Sequence, residues 1–128
     1  MKIIIVLVLY LHQSIQGLIV TFNLYLLLLA LPYLGFTTYD VWMHKHDRDV
    51  PQIEKILHGI TLPSILVFLV FSIMNNTMVA SIGLIIAFPC MLADELIYHK
   101  HLHIKEKKIH MLAGLSLLIY ILAWLWMI

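Results

Sequence analysis

The sequence predicts an all-α integral membrane protein: a four-helix transmembrane bundle built from two duplicated helical hairpins, with a short extra N-terminal apolar segment. Three observations lead there. Hydrophobic residues make up 62% of the 128-residue chain and its mean hydropathy is +0.98, so it has too little polar surface to fold in water. Four apolar stretches follow one another, each close to the roughly 20 residues that cross a bilayer core. The ionisable groups gather in two windows, 40–58 and 94–110, which hold every Asp and Glu, seven of the eight His and seven of the eight Lys and Arg. Charge held that close to hydrocarbon is costly, and its position marks function.

Residues 1–17 begin with Lys2, run apolar from Ile3 to Leu11, and turn polar at His12, Gln13, Ser14 and Gln16. They read as a signal-like segment without a small-x-small cleavage site, or as a short retained helix. Joined to the first span they would make a helix of about 37 residues, roughly 55 Å at 1.5 Å per residue. That exceeds the bilayer core, so a break is expected near Ser14 to Gly17. Residues 18–128 then form the membrane domain, with hairpin repeats over about 18–74 and 78–128. Span one covers about Leu18 to Thr38 and runs into the first polar window. Span two begins at Glu54, behind Pro51, where proline is tolerated ahead of a helix, and ends about Met74. Asn75, Asn76 and Thr77 make a polar turn into span three, about Met78 to Ala93. Span four starts near Glu106 and runs to Ile128. Pro32, Pro63 and Pro89 fall inside spans and predict kinks.

Lys45, Arg48, Lys55, Lys100, Lys105, Lys107 and Lys108 all lie in the polar windows and the opposite turn has no cation. The positive-inside rule therefore puts both windows on the cytoplasmic side, as in a bacterial inner membrane. The bilayer is the partner this implies. A net charge of +1 and the lack of a basic face interleaved with aromatics argue against nucleic acid. A single cysteine, Cys90, leaves no internal disulfide and no cysteine-only metal site.

The two windows repeat one pattern. The first reads Asp40-x3-His44-x-His46 and Glu54-x3-His58; the second reads Glu95-x3-His99-x-His101 and Glu106-x3-His110. Each span thus carries a carboxylate and an imidazole four residues apart, on one helix face. Residues opposite each other in an antiparallel pair have numbers with a constant sum, and Asp40 with His58 gives the same sum as His44 with Glu54. Glu95 with His110 and His99 with Glu106 do likewise. The expected site therefore has two layers: Asp40, His58, Glu95 and His110, then His44, Glu54, His99 and Glu106. An interfacial band of charge predicts no such spacing.

Two carboxylates and two imidazoles per layer suit two divalent metal ions, iron first, with zinc or manganese as the other fits. The ligand type resembles that of ferritin-like di-iron carboxylate proteins, whose spacing is Glu-x-x-His, with one intervening residue fewer. His46, His101 and His103 are secondary candidates from the connections, and Asp94 an outer partner to the ligands or to a lysine. The function expected is an O2-dependent di-metal oxidoreductase of the hydroxylase or desaturase type on a hydrophobic, lipid-like substrate, needing an electron donor. A metal transport, storage or sensing protein would use the same ligands. A b-type haem protein would take His58 and His110 as axial ligands. An oligomer would complete the site if four short spans enclose it poorly.

Overall fold

The computed structural model describes residues 2–47, 50–97 and 104–128; of residues 2–9, 15, 16, 18, 19 and 44–47 it describes the backbone alone. The described chain is helical throughout: α1 is Lys2–Asp47, α2 Gln52–Ile73, α3 Thr77–Ile97 and α4 Ile104–Met127. Each is long and apolar enough to cross a membrane, α1 over Val20–Met43 and the others over their full length. The protein is an integral membrane protein by this measure.

The break expected near Ser14 to Gly17 is absent, and α1 runs on for 46 residues, roughly 69 Å at 1.5 Å per residue. Nothing local stops it. No proline precedes Pro32 in α1, and the hydroxyls of Ser14 and Thr21 donate back to the carbonyls of Tyr10 and Gly17 at 3.0 and 2.9 Å. A lone Gly17 weakens a helix by about 1 kcal/mol, too little to break one this apolar. The three internal prolines all sit on exposed positions of continuous helices, a placement that membrane helices tolerate.

The turn between α2 and α3 is tight. Asn75 takes the left-handed conformation (φ 58°), which Asn tolerates better than most residues. The Asn76 N–H donates to the Phe71 carbonyl at 2.8 Å, closing α2, and the Asn76 side chain accepts from the Val79 N–H at 3.2 Å, opening α3. The Asn75 amide reaches Asn23 on α1 at 3.2 Å. All four helices therefore alternate in direction, with the polar windows at one end and the Asn turn at the other.

The helices pair unevenly. α2 packs closely on α3 and α1 on α4, whereas α1 and α2 touch only lightly. The sequence symmetry pairs α1 with α2 and α3 with α4 across the polar connections, so the tight partners are the other two pairs. Small residues explain the first. Ala80, Gly83 and Ala87 present a flat stripe to α2, which lets two backbones approach as membrane interfaces commonly do. A Cβ on Gly83 would stand 2.7 Å from the Ser64 carbonyl oxygen and 2.8 Å from the Phe68 nitrogen.

The two pairs are joined toward the Asn-turn end by large side chains. Phe68 of α2 meets Tyr120 and Trp124 of α4 edge-on at centroid distances of 5.6 and 5.2 Å. Tyr120 and Ser72 are fully buried, with their hydroxyls 2.6 Å apart. Both hydroxyls also lie within hydrogen-bond distance of the Leu69 carbonyl, Ser72 at 2.9 Å and Tyr120 at 3.3 Å, so the pair is tied to the α2 backbone. Tyr120→Phe is expected to lower unfolding stability in detergent by about 0.6–1.7 kcal/mol, the measured range for such bonds in membrane bundles. An unchanged midpoint would show that this bond does not hold the two pairs together.

Candidate metal centre

A carboxylate lies seven residues, two helical turns, from the buried core on every helix. Asp40 follows Leu26 and Tyr33 on α1, Glu54 precedes Thr61 and Phe68 on α2, Asp94 follows Ala80 and Ala87 on α3, and Glu106 precedes Ala113 and Tyr120 on α4. The stripe that makes the apolar core in one half of the bundle thus becomes acidic at the polar end. All four carboxylates are buried; Glu54 is 0% and Asp94 4% exposed. Buried charge of one sign at this density requires cations or protons among it.

The imidazoles of His58 and His110 supply nitrogen. His58 Nε2 lies 2.9 Å from Asp94 Oδ2, within hydrogen-bond distance. His110 Nε2 lies 3.8 Å from that same oxygen, and its Nδ1 lies 3.2 Å from Asp40 Oδ2, an ion-pair distance but off the line of a hydrogen bond. Asp94 therefore stands between two histidines from different helices, and His110 stands between two aspartates. One ligand atom each from Glu54, His58 and Asp94 lie within 4.8 Å of one another. Atoms bound to one ion at about 2.0–2.2 Å lie within about 4.4 Å of each other. Three such donors spread evenly round one ion lie about 3.8 Å apart or closer, so the trio would have to draw in to hold one. Asp40, with Nδ1 of His110 beside it, has the place of the carboxylate that commonly orients a metal-binding imidazole.

Of the residues expected in the first layer, Asp40, His58 and His110 are brought together, and Asp94 occupies the place assigned to Glu95. Glu95 is exposed and borders the site from outside. From the second layer Glu54 and Glu106 are buried. His44 lies on α1 with its side chain outside the described residues, as does that of His46, and His99, His101 and His103 lie outside them altogether. Tyr39, beside Asp40, is exposed and stacks on Trp42 at 5.8 Å. Tyr33 and Thr61 were not singled out by spacing, yet both line the cavity at the site. Their signal was available: Tyr33 is seven residues before Asp40 and Thr61 three after His58, on the same stripes.

A haem between His58 and His110 would have to displace Asp94, which lies between the two rings. Beyond the site the interior is filled mainly by Phe68, Leu117, Trp124 and the Tyr120 ring, and the buried Ser72 and Tyr120 hydroxyls are bonded to each other rather than continuing a polar path toward the Asn turn. No protein-family model matches this chain, and no curated protein or solved structure is detectably similar to it.

Proposed function

We propose that this protein is a membrane-embedded metalloprotein whose buried cluster binds two divalent ions, iron foremost, and that it is an O2-dependent oxidoreductase acting on a hydrophobic substrate. The observation that carries the reading is the convergence of Glu54, His58 and Asp94 within 4.8 Å, with His110 and Asp40 on the far side of Asp94. Glu54, His58 and Asp94 would hold one ion, and His110 and Glu106, one turn apart on α4, would supply ligands to the other. Asp40 keeps the His110 ring in place. The bound ions supply one-electron chemistry and O2 activation, with electrons from a separate donor. The residues themselves bind and orient, while the packed aromatics toward the Asn turn keep water out. Lys55, Lys105, Lys107 and Lys108 are exposed around the same end, which supports a cytoplasmic-facing site by the positive-inside rule.

A metal-handling role without chemistry uses the same ligands. The apolar interior beyond the site weighs against transport across the membrane, and the cavity described below favours an enzyme. Elemental analysis of detergent-purified protein, with an absorption spectrum on the same sample, tests the reading. The expected result is about two irons per chain and no haem band. About two zincs would move the chemistry to hydrolysis. No metal after anaerobic reconstitution would overturn the metal centre itself.

A further inference from the structure

A cavity of about 580 Å³ reaches the polar cluster from the membrane side, a volume typical of small-molecule sites (about 300–1,000 Å³). Its wall is graded along the bundle axis. At the polar end it is lined by Asp40, His58, Asp94, Glu95, Lys107 and His110, and deeper in the membrane by Tyr33, Phe88, Met91, Leu92, Leu115 and Leu118. The floor is formed by α1 and α2. Its mouth lies between α3 and α4, which do not pack closely on one another. Two stripes flank that mouth, Phe88, Leu92 and Glu95 on α3 and Met111, Leu115 and Leu118 on α4, each at i, i+4 and i+7, and all six residues are exposed. Gly114 lines the cleft as well, and a Cβ added there would meet nothing within 4 Å. The cleft therefore opens sideways to the lipid chains.

One polar group inside it stands apart. The hydroxyls of Ser14, Thr21, Thr38, Ser64 and Ser116 all donate to the carbonyl four residues back, at 2.7–3.0 Å. The Thr61 hydroxyl oxygen is buried in the cavity wall, one turn into the membrane from His58, and has no hydrogen-bond partner. A buried hydroxyl left so costs roughly 1–3 kcal/mol, and a turn of the Thr61 side chain into the cavity would let a ligand oxygen at that height satisfy it.

We propose that the α3–α4 cleft binds a single-chain amphiphile with a small uncharged oxygen head group, such as a long-chain alcohol or a monoacylglycerol. The head lies at Asp94 and His110 with an oxygen on Thr61, and the alkyl tail runs along Met111, Leu115 and Leu118. The carboxylates at the polar end disfavour an anionic head. The assignment builds on the metal-site reading and names its substrate class and orientation. The atoms presented to the metal are those within a few bonds of the head, and the middle of the chain lies deeper than the cluster reaches.

The test is photo-crosslinking of the full-length protein in nanodiscs with a long-chain alcohol carrying a diazirine near its tail, mapped by mass spectrometry. Labelling is expected to concentrate on Met111, Leu115, Leu118, Phe88 and Leu92. Gly114→Trp fills the cleft and is expected to lower that labelling about tenfold, a change of about 1.4 kcal/mol. Gly59→Trp, at an exposed glycine with equally open space but away from the cleft, leaves it unchanged. Gly114→Leu serves should the tryptophan variant fail to fold. Labelling spread evenly over the lipid-facing residues, or unaffected at Gly114, would overturn the proposal. Metal content on the same samples separates the two readings. Metal-free protein that still labels the cleft keeps the binding site and loses the metal centre; metal-loaded protein with even labelling does the reverse.

Discussion

Protein carrying Asp94→Asn is expected to purify without metal, whereas Glu95→Gln protein carries the full complement. The two carboxylates are neighbours in sequence, and only the first is buried between His58 and His110. Asparagine keeps the shape of Asp94 and removes the charge that an ion shared between the two imidazoles would need. The loss in affinity should exceed the roughly 10–100-fold that follows removal of an outer hydrogen-bond partner, and Asp40→Asn should fall within that range. Metal-to-protein ratio and a competition titration read both effects. Equal losses at Asp94 and Glu95, or a loss at Glu95 alone, would show that the ion is held elsewhere. Metal also raises stability through binding to the folded state alone, by about 2.7 kcal/mol at a hundred times Kd, so chelation should lower the unfolding midpoint of the native protein and leave Asp94→Asn unaffected.

Gly83→Val is expected to destabilise the bundle by about 1–3 kcal/mol or more, the cost of overpacking a close-packed interface. The added carbons meet the Ser64 carbonyl and the Phe68 nitrogen. These are backbone atoms, so no side-chain rotation relieves the clash and α2 and α3 must move apart. That separation shifts Asp94 away from His58, so metal retention should fall together with the unfolding midpoint. Gly114→Ala makes the comparison, since its added carbon enters open space and a small stabilisation from the reduced freedom of the unfolded chain is expected. A Gly83→Val protein as stable as the native one would show that α2 and α3 do not meet at this point.

The spans were legible because hydrocarbon length is a coarse quantity: four apolar runs of about the right length could become little else in a bilayer. Asp40, His58 and His110 do border one cavity, but the mirror sums pair Asp40 with His58, whereas Asp40 lies against His110 and His58 against Asp94. The choice between Asp94 and Glu95 went the other way for a reason the sequence already held. Asp94 continues the stripe of Ala80 and Ala87 at seven-residue intervals, and Glu95 continues the exposed position of Phe88. The Glu-x3-His pattern of the second window outweighed that stripe, although only one face of α3 could turn inward. The partners of each helix were the least legible. Sequence symmetry favours pairing across the polar connections, but close approach is decided by where side chains are small, and α3 bears its Ala and Gly toward α2. The long α1 was missed because bilayer thickness limits a span and sets no limit on a helix continuing beyond it.

The unequal pairing also dictates an order of assembly. α2 and α3 are joined by a turn of three residues and can close on each other as soon as both are inserted. α1 must wait for α4, made after α2 and α3, before its main neighbour exists. During that interval Asp40 lacks the His110 imidazole that lies 3.2 Å away in the finished fold. Arrival of α4 then brings Glu106 and His110 to the cluster in one step, so a chain truncated ahead of Glu106 is expected to insert without completing it.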